Sequence, residues 1–450
     1  MKKLIIFVLI SITSVAVSAG NDIAANIEQK INQTDPNLNI GVKITNLDQN
    51  KVIFEKNADR YFIPASTLKF ITIVSLLEHF GLDYKFTSSI LSAGPDYYLD
   101  IHDPDYNNSD LDSMTASIAA HSNKKIQGNI YIVDNEFTVP ATIRSKTYSD
   151  TIYCYGAPIT KVHINKNCST LKVNAAKVGQ KIKIKMARNF PYIVENNAVT
   201  IGNNMSDRLH TSIKDGKYII NGTLSTSSGQ VIIGAVANDN FVQVRHHLQE
   251  RLKAHGIDLQ GKILYGKLPF RAKNITSISK SMKEIAAIAM KTSNNFITDY
   301  LLAEFASQTR QIEWGRATES LKRLILKQFA VDITKSVLKD GSGLSRLNLL
   351  TINQFNSFLK VIALKKNFAE IKSVMACPGE ECTLRERFKN MPKFYAKTGK
   401  LSNVLSLVGY FYDKNNELHS FAIIANNFYG GIARYHKLEE EIIKLVAKRP

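Results

Sequence analysis

Three stretches near the carboxyl end, "KFYAKTG", "NVLSLVGYFYD" and "ELHSFAIIANN", follow one another with only short polar joins. Rich in β-branched and aromatic residues, they predict three antiparallel strands, the last two turning over "KNN". A helix is predicted behind them from Tyr435 to Ala447. The other end of the chain carries a matching set. Asn21 to Gln33 reads as a short helix, and "NIGVKITNL" and "KVIFEKN" alternate around "DQN" as a hairpin. A second helix follows at once. From Ser66 to His79 the apolar residues Leu68, Phe70, Ile71, Ile73, Val74, Leu76 and Leu77 surround the whole axis, which marks a buried helix. Two terminal segments that each supply strands and a helix predict one sheet closed by both ends of the chain.

Between them, from about Phe86 to Lys273, short strands and turns dominate, among them "GNIYIVDNEF", "LKVNAAKVGQKIKIKM" and "SGQVIIGAVAN". Little long helix is expected there before "FVQVRHHLQERLKAHG". Helices resume at "SMKEIAAIAMK" and "NFITDYLLAEFAS". The expected organisation is therefore α+β. A discontinuous main domain (20–86 and 274–450) holds an inserted domain (87–159 and 229–273), which itself contains a nested β-rich domain (160–228). A chain of 450 residues, 44% hydrophobic and 22% charged, has the material for more than one core.

Lys2 and Lys3, an apolar run from Leu4 to Val17 and the small residues up to Ala19 have the layout of a secretory signal peptide over 1–19. Export is expected, into the periplasm, with the mature chain soluble or peripherally bound. Losing the two lysines takes the formal charge from +19 to +17, which favours anionic partners. An anionic membrane or envelope surface suits that compartment. Nucleic acid does not, and neither a zinc-finger spacing nor an aromatic-and-basic single-strand signature is present. Four cysteines in an exported chain suggest disulfides, and Cys154–Cys168 with Cys377–Cys382 are the local pairings among three possible.

The tetrapeptide Ser-Thr-Leu-Lys occurs twice, at Ser66–Lys69 and at Ser169–Lys172. A serine hydroxyl needs a base within hydrogen-bond reach before it can attack. On a helix, residues three apart share a face, so Ser66 and Lys69 meet if the helix begins near Ala65, as Pro64 just ahead of it suggests. The second copy lies in a strand-like alternation, which sends Ser169 and Lys172 to opposite faces. Bare Ser-x-x-Lys spacing also occurs at Ser122, Ser277, Ser336 and Ser357, so spacing alone selects nothing. Ser66 stands out because free N–H groups at a helix start can stabilise an oxyanion, and because Lys69 sits on an apolar helix where charge is costly.

Two further constellations follow: Ser293-Asn294-Asn295 in a break between predicted helices, and Lys397-Thr398-Gly399 at a strand end. In this order the three resemble the serine penicillin-recognising enzymes. The large insert, "DGSGLSR" from Asp340, "TLRERF" and "YCYGAPITKVHINKNC" are similar to the class C low-molecular-mass penicillin-binding proteins, the D-alanyl-D-alanine carboxypeptidase and endopeptidase family. The resemblance implies a penicillin-binding, serine β-lactamase-like fold and cleavage of peptidoglycan stem peptides ending in D-Ala-D-Ala. It also implies binding of β-lactam antibiotics, with no cofactor and no metal. It assigns Ser66 as nucleophile, Lys69 as its base, Ser293 as proton relay, and Asn295 as a holder of Lys69 and of the substrate amide. Lys397 and Thr398 would bind the terminal carboxylate, with Ser402 standing in for the hydroxyl that relatives carry where Lys400 stands after Gly399. The N–H groups of Ser66 and Lys400 would form the oxyanion hole. Asp134 and Arg346 would read the ammonium and carboxylate of meso-diaminopimelate. A β-lactamase shares the three motifs but rarely carries such an insert. A non-catalytic peptidoglycan-binding protein on this scaffold would be expected to have lost one motif.

Overall fold

The computed structural model describes residues 14–448 apart from 187–189, 191, 204, 238 and 392, with side chains from residue 23. Most of the predicted leader, 1–19, lies outside these residues. A helix runs from Ser14 to Thr34.

Both ends of the chain build one five-stranded antiparallel sheet. Its order is Lys51–Lys56, Asn39–Asn46, Leu418–Asn426, Val404–Tyr412 and Phe394–Leu401. The amino-terminal helix and the helix Ala433–Ala447 cover one face, where Ile27, Ile31, Leu438 and Ile442 pack on Ile40, Val42, Ile44 and Ile423. The other face meets a larger core with the helices Leu68–Phe80 and Ile352–Ala363. Covered on both sides, the strand Leu418–Asn426 is buried throughout, which explains its apolar run from Phe421 to Ala425. Gly41 shows how close this packing is. A β-carbon there would lie 2.5 Å from the Phe62 ring and 2.6 Å from Ile352.

The intervening residues form a second five-stranded sheet, ordered Ile263–Gly266, Ile130–Val133, Asp96–Asp100, Lys85–Ala93 and Lys273–Ser281. Its first three strands are parallel to one another. Behind it lie the helices Asn240–Ala254 and Asn108–His121. The latter, 14 residues long, is not anticipated by the sequence reading. Leu111, Met114, Thr115 and Ile118 bury its inner face, and an Asn107–Asp110 capping box starts it. A further group of short strands between Cys168 and Val236 surrounds a separate core of Leu171, Val173, Tyr218, Ile220 and Leu224. The second Ser-Thr-Leu-Lys copy lies there on the strand Cys168–Asn174, with Leu171 and Val173 inward and Lys172 exposed.

Cys154 and Cys168 are joined. Cys377 and Cys382 are free thiols, contrary to expectation. Their loop is held by other means. Lys291 pairs with Glu380 at 2.7 Å, the Thr383 N–H donates to the Lys291 carbonyl at 3.1 Å, and the Cys382 thiol donates to the Cys377 carbonyl at 3.0 Å. Burial and the neighbouring Glu380 carboxylate push the Cys377 thiol up to about 12, so it stays protonated and weakly reactive.

Candidate active site

The polypeptide reaches Ser66 through a tightly held turn. Asn426 brackets Ile63, accepting from its N–H at 2.7 Å and donating to its carbonyl at 3.1 Å. The Pro64 carbonyl receives the hydroxyls of Thr67 and Ser406, each at 2.6 Å. Ala65 sits at φ +48°, a left-handed conformation that alanine rarely adopts. Ala65–Thr67 form one 3-10 turn, and the α-helix proper begins at Leu68, slightly later than the sequence suggests. Across the site, Gly399 lies so near that a β-carbon on it would stand 2.9 Å from the Ser66 nitrogen and 2.2 Å from the Ser406 hydroxyl. The Ser66 N–H thus opens beside the strand that carries Lys397, Thr398, Gly399 and Lys400.

Lys69 is fully buried, and its Nζ has three oxygen neighbours. It donates to Asn295 Oδ1 at 2.6 Å and to the Ser342 carbonyl at 2.6 Å, and it lies 2.9 Å from Ser66 Oγ. Asn295 is the first residue of its helix, capped by Asn294, and its Nδ2 donates to the Tyr155 carbonyl at 2.9 Å. Its oxygen is thereby turned towards Lys69. Ser293, at φ +57° between two helices, has its hydroxyl 2.8 Å from Lys397 Nζ, which also donates to the Thr398 carbonyl at 2.7 Å. All three motifs therefore converge, and Ser66, Lys69, Ser293, Asn295 and Lys397 form one cluster. The helical rival does not reach it. Ser357 is exposed, and Lys360 bonds Asn50 at the surface.

Burial, the largest influence, pushes Lys69 down to about 7; Asp299 and Asp340 oppose this, and Lys146 adds to it. Burial and then the charge of Lys69 push Lys397 well below its ordinary value. Among the described residues no carboxylate forms an ion pair with Lys397.

The sequence reading misses Lys146, Asp299 and the full use of Asp340. Asp299 accepts from the N–H groups of Gly341 and Ser342 at 3.0 and 2.9 Å, and Lys146 Nζ stands 3.3 Å from its other oxygen. Asp340 accepts from the N–H groups of Gly343 and Ser345 and from the Asn348 amide. A lone aspartate in the apolar run "NFITDYLL", one helical turn after Asn295, is the signal that was available. Lys146 had none.

The remaining predicted residues lie at the margin. Thr398 is half-buried; Lys400 and Ser402 are exposed. Arg346 is exposed and donates to the Ser402 carbonyl at 3.0 Å, tying the loop after Asp340 to the turn after Lys400. Asp134 lines a separate cavity of about 510 Å³ with Glu136, Lys161, Asp239 and Tyr265. Among the described residues no ion pair joins Asp134 to Arg346, and Arg346 does not line that cavity.

A helix-covered antiparallel sheet with a serine at the head of the central helix defines the penicillin-binding and serine β-lactamase-like class of folds. The chain belongs to the D-Ala-D-Ala carboxypeptidase 3 (S13) family, which matches residues 23–448, and it is a serine hydrolase of the class C low-molecular-mass penicillin-binding type. It is 25% identical over 417 residues to the D-alanyl-D-alanine carboxypeptidase DacB of Haemophilus influenzae, covering 87% of this chain and 86% of the relative. It is 23% identical over 421 residues to the D-alanyl-D-alanine carboxypeptidase of an Actinomadura species, covering 87% and 78%. The crystal structure of the Haemophilus protein, penicillin-binding protein 4, shares the fold with a TM-score of 0.79, at 23% identity, over 94% of this chain and 99% of that one. That protein has also been solved with a β-lactam bound.

Proposed function

We propose that the chain is an exported serine D,D-peptidase that acts in the periplasm through an acyl-enzyme on Ser66. The hydrogen-bond inventory of Lys69 carries this reading. A neutral amine has two N–H donors and one lone pair. Asn295 Oδ1 and the Ser342 carbonyl can only accept, so they use both donors, and the lone pair is left for the Ser66 hydroxyl. With burial pushing Lys69 down to about 7, that neutral form is accessible near neutral pH. Ser66 Oγ attacks the carbonyl between the two D-alanines as its proton passes to Lys69, and the N–H groups of Ser66 and Lys400 stabilise the oxyanion. The proton reaches the departing amine through Ser293. Lys397, buried without a carboxylate of its own, binds the substrate's terminal carboxylate with Thr398 and Ser402. Water then releases the acyl group.

In the same reading β-lactams acylate Ser66 because they present the same carbonyl and carboxylate; the complex of the Haemophilus protein supports this. Arg346 and Asp134 read the diaminopimelate side chain, and an anionic envelope or membrane surface attracts the basic exterior. The sheet built from both chain ends acts with its helices as the catalytic domain around the insert. Because Lys273–Ser281 belongs to the insert's sheet and Val231–Val236 to the nested strand group, the limits expected at 273/274 and 228/229 move to about 281 and about 236. Digestion of purified peptidoglycan tests the activity. Free D-alanine from pentapeptides is expected, with monomers from cross-linked dimers if it is also an endopeptidase. Unchanged peptides on both counts would refute the proposal.

A further inference from the structure

Lys69 faces two buried carboxylates, Asp299 and Asp340, which favour its charged form, and one further lysine of the site, Lys397. A base that must be neutral is poorly placed beside two anions unless another cation offsets them. Lys146 stands in that position. It belongs to the strap 140–157, and its side chain, 2% exposed, reaches inward to Asp299. The chain of contacts is continuous. Lys146 forms an ion pair at 3.3 Å with one oxygen of Asp299, the other oxygen accepts from the N–H groups of Gly341 and Ser342, and the Ser342 carbonyl receives Lys69. The strap is fixed around this point. The Ser345 hydroxyl donates to the Ser145 carbonyl at 3.3 Å, and the Ile159 N–H donates to the Ala141 carbonyl at 2.8 Å. Further along, the Cys154–Cys168 disulfide anchors the residue before Tyr155, whose carbonyl orients Asn295.

We propose that Lys146 is a positioning residue of the acylation site: its ammonium, closed on Asp299, holds the loop that fixes Lys69 and offsets the carboxylate charge facing that base. Lys146 touches no reacting atom. Its effect passes through Asp299 and the Asp340–Gly343 loop, and it makes the strap part of the catalytic machinery. The inference rests on Lys69 being the base for Ser66.

The sign of the effect follows from Coulomb's law. Without the ammonium, the charge of Asp299 acts undiminished on Lys69, stabilises its protonated form and moves deprotonation to higher pH. Lys146→Gln removes the charge while leaving a polar side chain at that position. The measurement is kcat/KM for acylation by benzylpenicillin from about pH 5 to about pH 10. Wild type should lose activity on the acid side with a midpoint near 7. In Lys146→Gln the midpoint should rise by about one pH unit, so that acylation near pH 6 falls about tenfold while the alkaline plateau stays within about twofold. Lys146→Arg, which keeps the charge, should restore the wild-type midpoint. A midpoint unmoved in Lys146→Gln, or a loss equal at every pH, would overturn the proposal. If Lys146→Gln does not fold, Asp299→Asn gives the reverse reading: it retains an acceptor for the two N–H groups and should lower the midpoint, and an unmoved midpoint there is equally fatal. Should wild type show no acylation at all, the reading of Ser66 and Lys69 fails first, an outcome distinct from either.

Discussion

Lys69 has two acceptors that cannot return a hydrogen bond and one hydroxyl that can, and this asymmetry sets what pH should do. In the proposed mechanism the reactive form is the deprotonated one. Its fraction is full well above 7 and falls about tenfold for each pH unit below it, so acylation should lose rate on the acid side with a midpoint near 7. A pH–rate profile that stays flat down to about pH 5 would show that another group takes the proton. Lys69→Arg cannot deprotonate and should cost about 10²- to 10⁴-fold. Arg346 presents a different question, because its guanidinium already bonds the Ser402 carbonyl. If it reads the stem peptide, Arg346→Ala should lower kcat/KM about tenfold to a hundredfold for diaminopimelate peptides, the range of one charged hydrogen bond. A substrate with its side-chain amine blocked and its carboxylate absent should be spared. Equal losses on both would show that Arg346 only ties its loop. At this scale the motif residues were legible because each is a short local pattern on a predictable element. Lys146 was not, since its partner is distant in sequence and nothing local to a strap lysine marks it as buried.

The elements explain why these residues meet. The central strands Val404–Tyr412 and Leu418–Asn426 and the Lys69 helix, covered all round, leave a long apolar record, while the edge strand of the hairpin, Lys51–Lys56, was legible from its alternation. The helix Asn108–His121 could not, because only one of its faces is buried and its remaining letters are polar; the Asn107–Asp110 capping box was the legible cue. The Cys377–Cys382 pairing failed for a related reason. Proximity in sequence suggests a bridge, but both thiols are free, and the loop is held by the Lys291–Glu380 ion pair and the hydrogen bonds around Thr383. The Asp340–Gly343 loop makes a sharper test of element-level packing. Gly343 has φ +78°, and a β-carbon there would fall 1.8 Å from the Ala65 carbonyl oxygen. Gly343→Ala must therefore displace the turn bearing Ser66. It should reduce stability by about 1–3 kcal/mol and acylation by more than that loss explains. Wild-type acylation and melting temperature in this variant would show that the turn and the loop are not coupled.

In the whole molecule, one sheet drawn from both ends of the chain places the turn bearing Ser66, at the head of the Lys69 helix, beside the strand bearing Lys397, and the residues between them supply the strap that reaches back to Asp299. The sheet was foreseeable because matching strand sets flank a region of different character. The strap's contact with the site was not, since it depends on how separate packing units meet. Among the described residues no helix is long and apolar enough to cross a membrane. The central claim is that this architecture makes one serine, Ser66, into a nucleophile while leaving Ser169, Ser357 and the other Ser-x-x-Lys serines inert. Its most direct test is mass spectrometry of the intact chain and its peptides after brief exposure to benzylpenicillin. A single penicilloyl adduct should form, map to Ser66 and vanish in Ser66→Ala with the fold retained. An adduct on any other serine, or labelling that persists in Ser66→Ala, would contradict the assignment of the site.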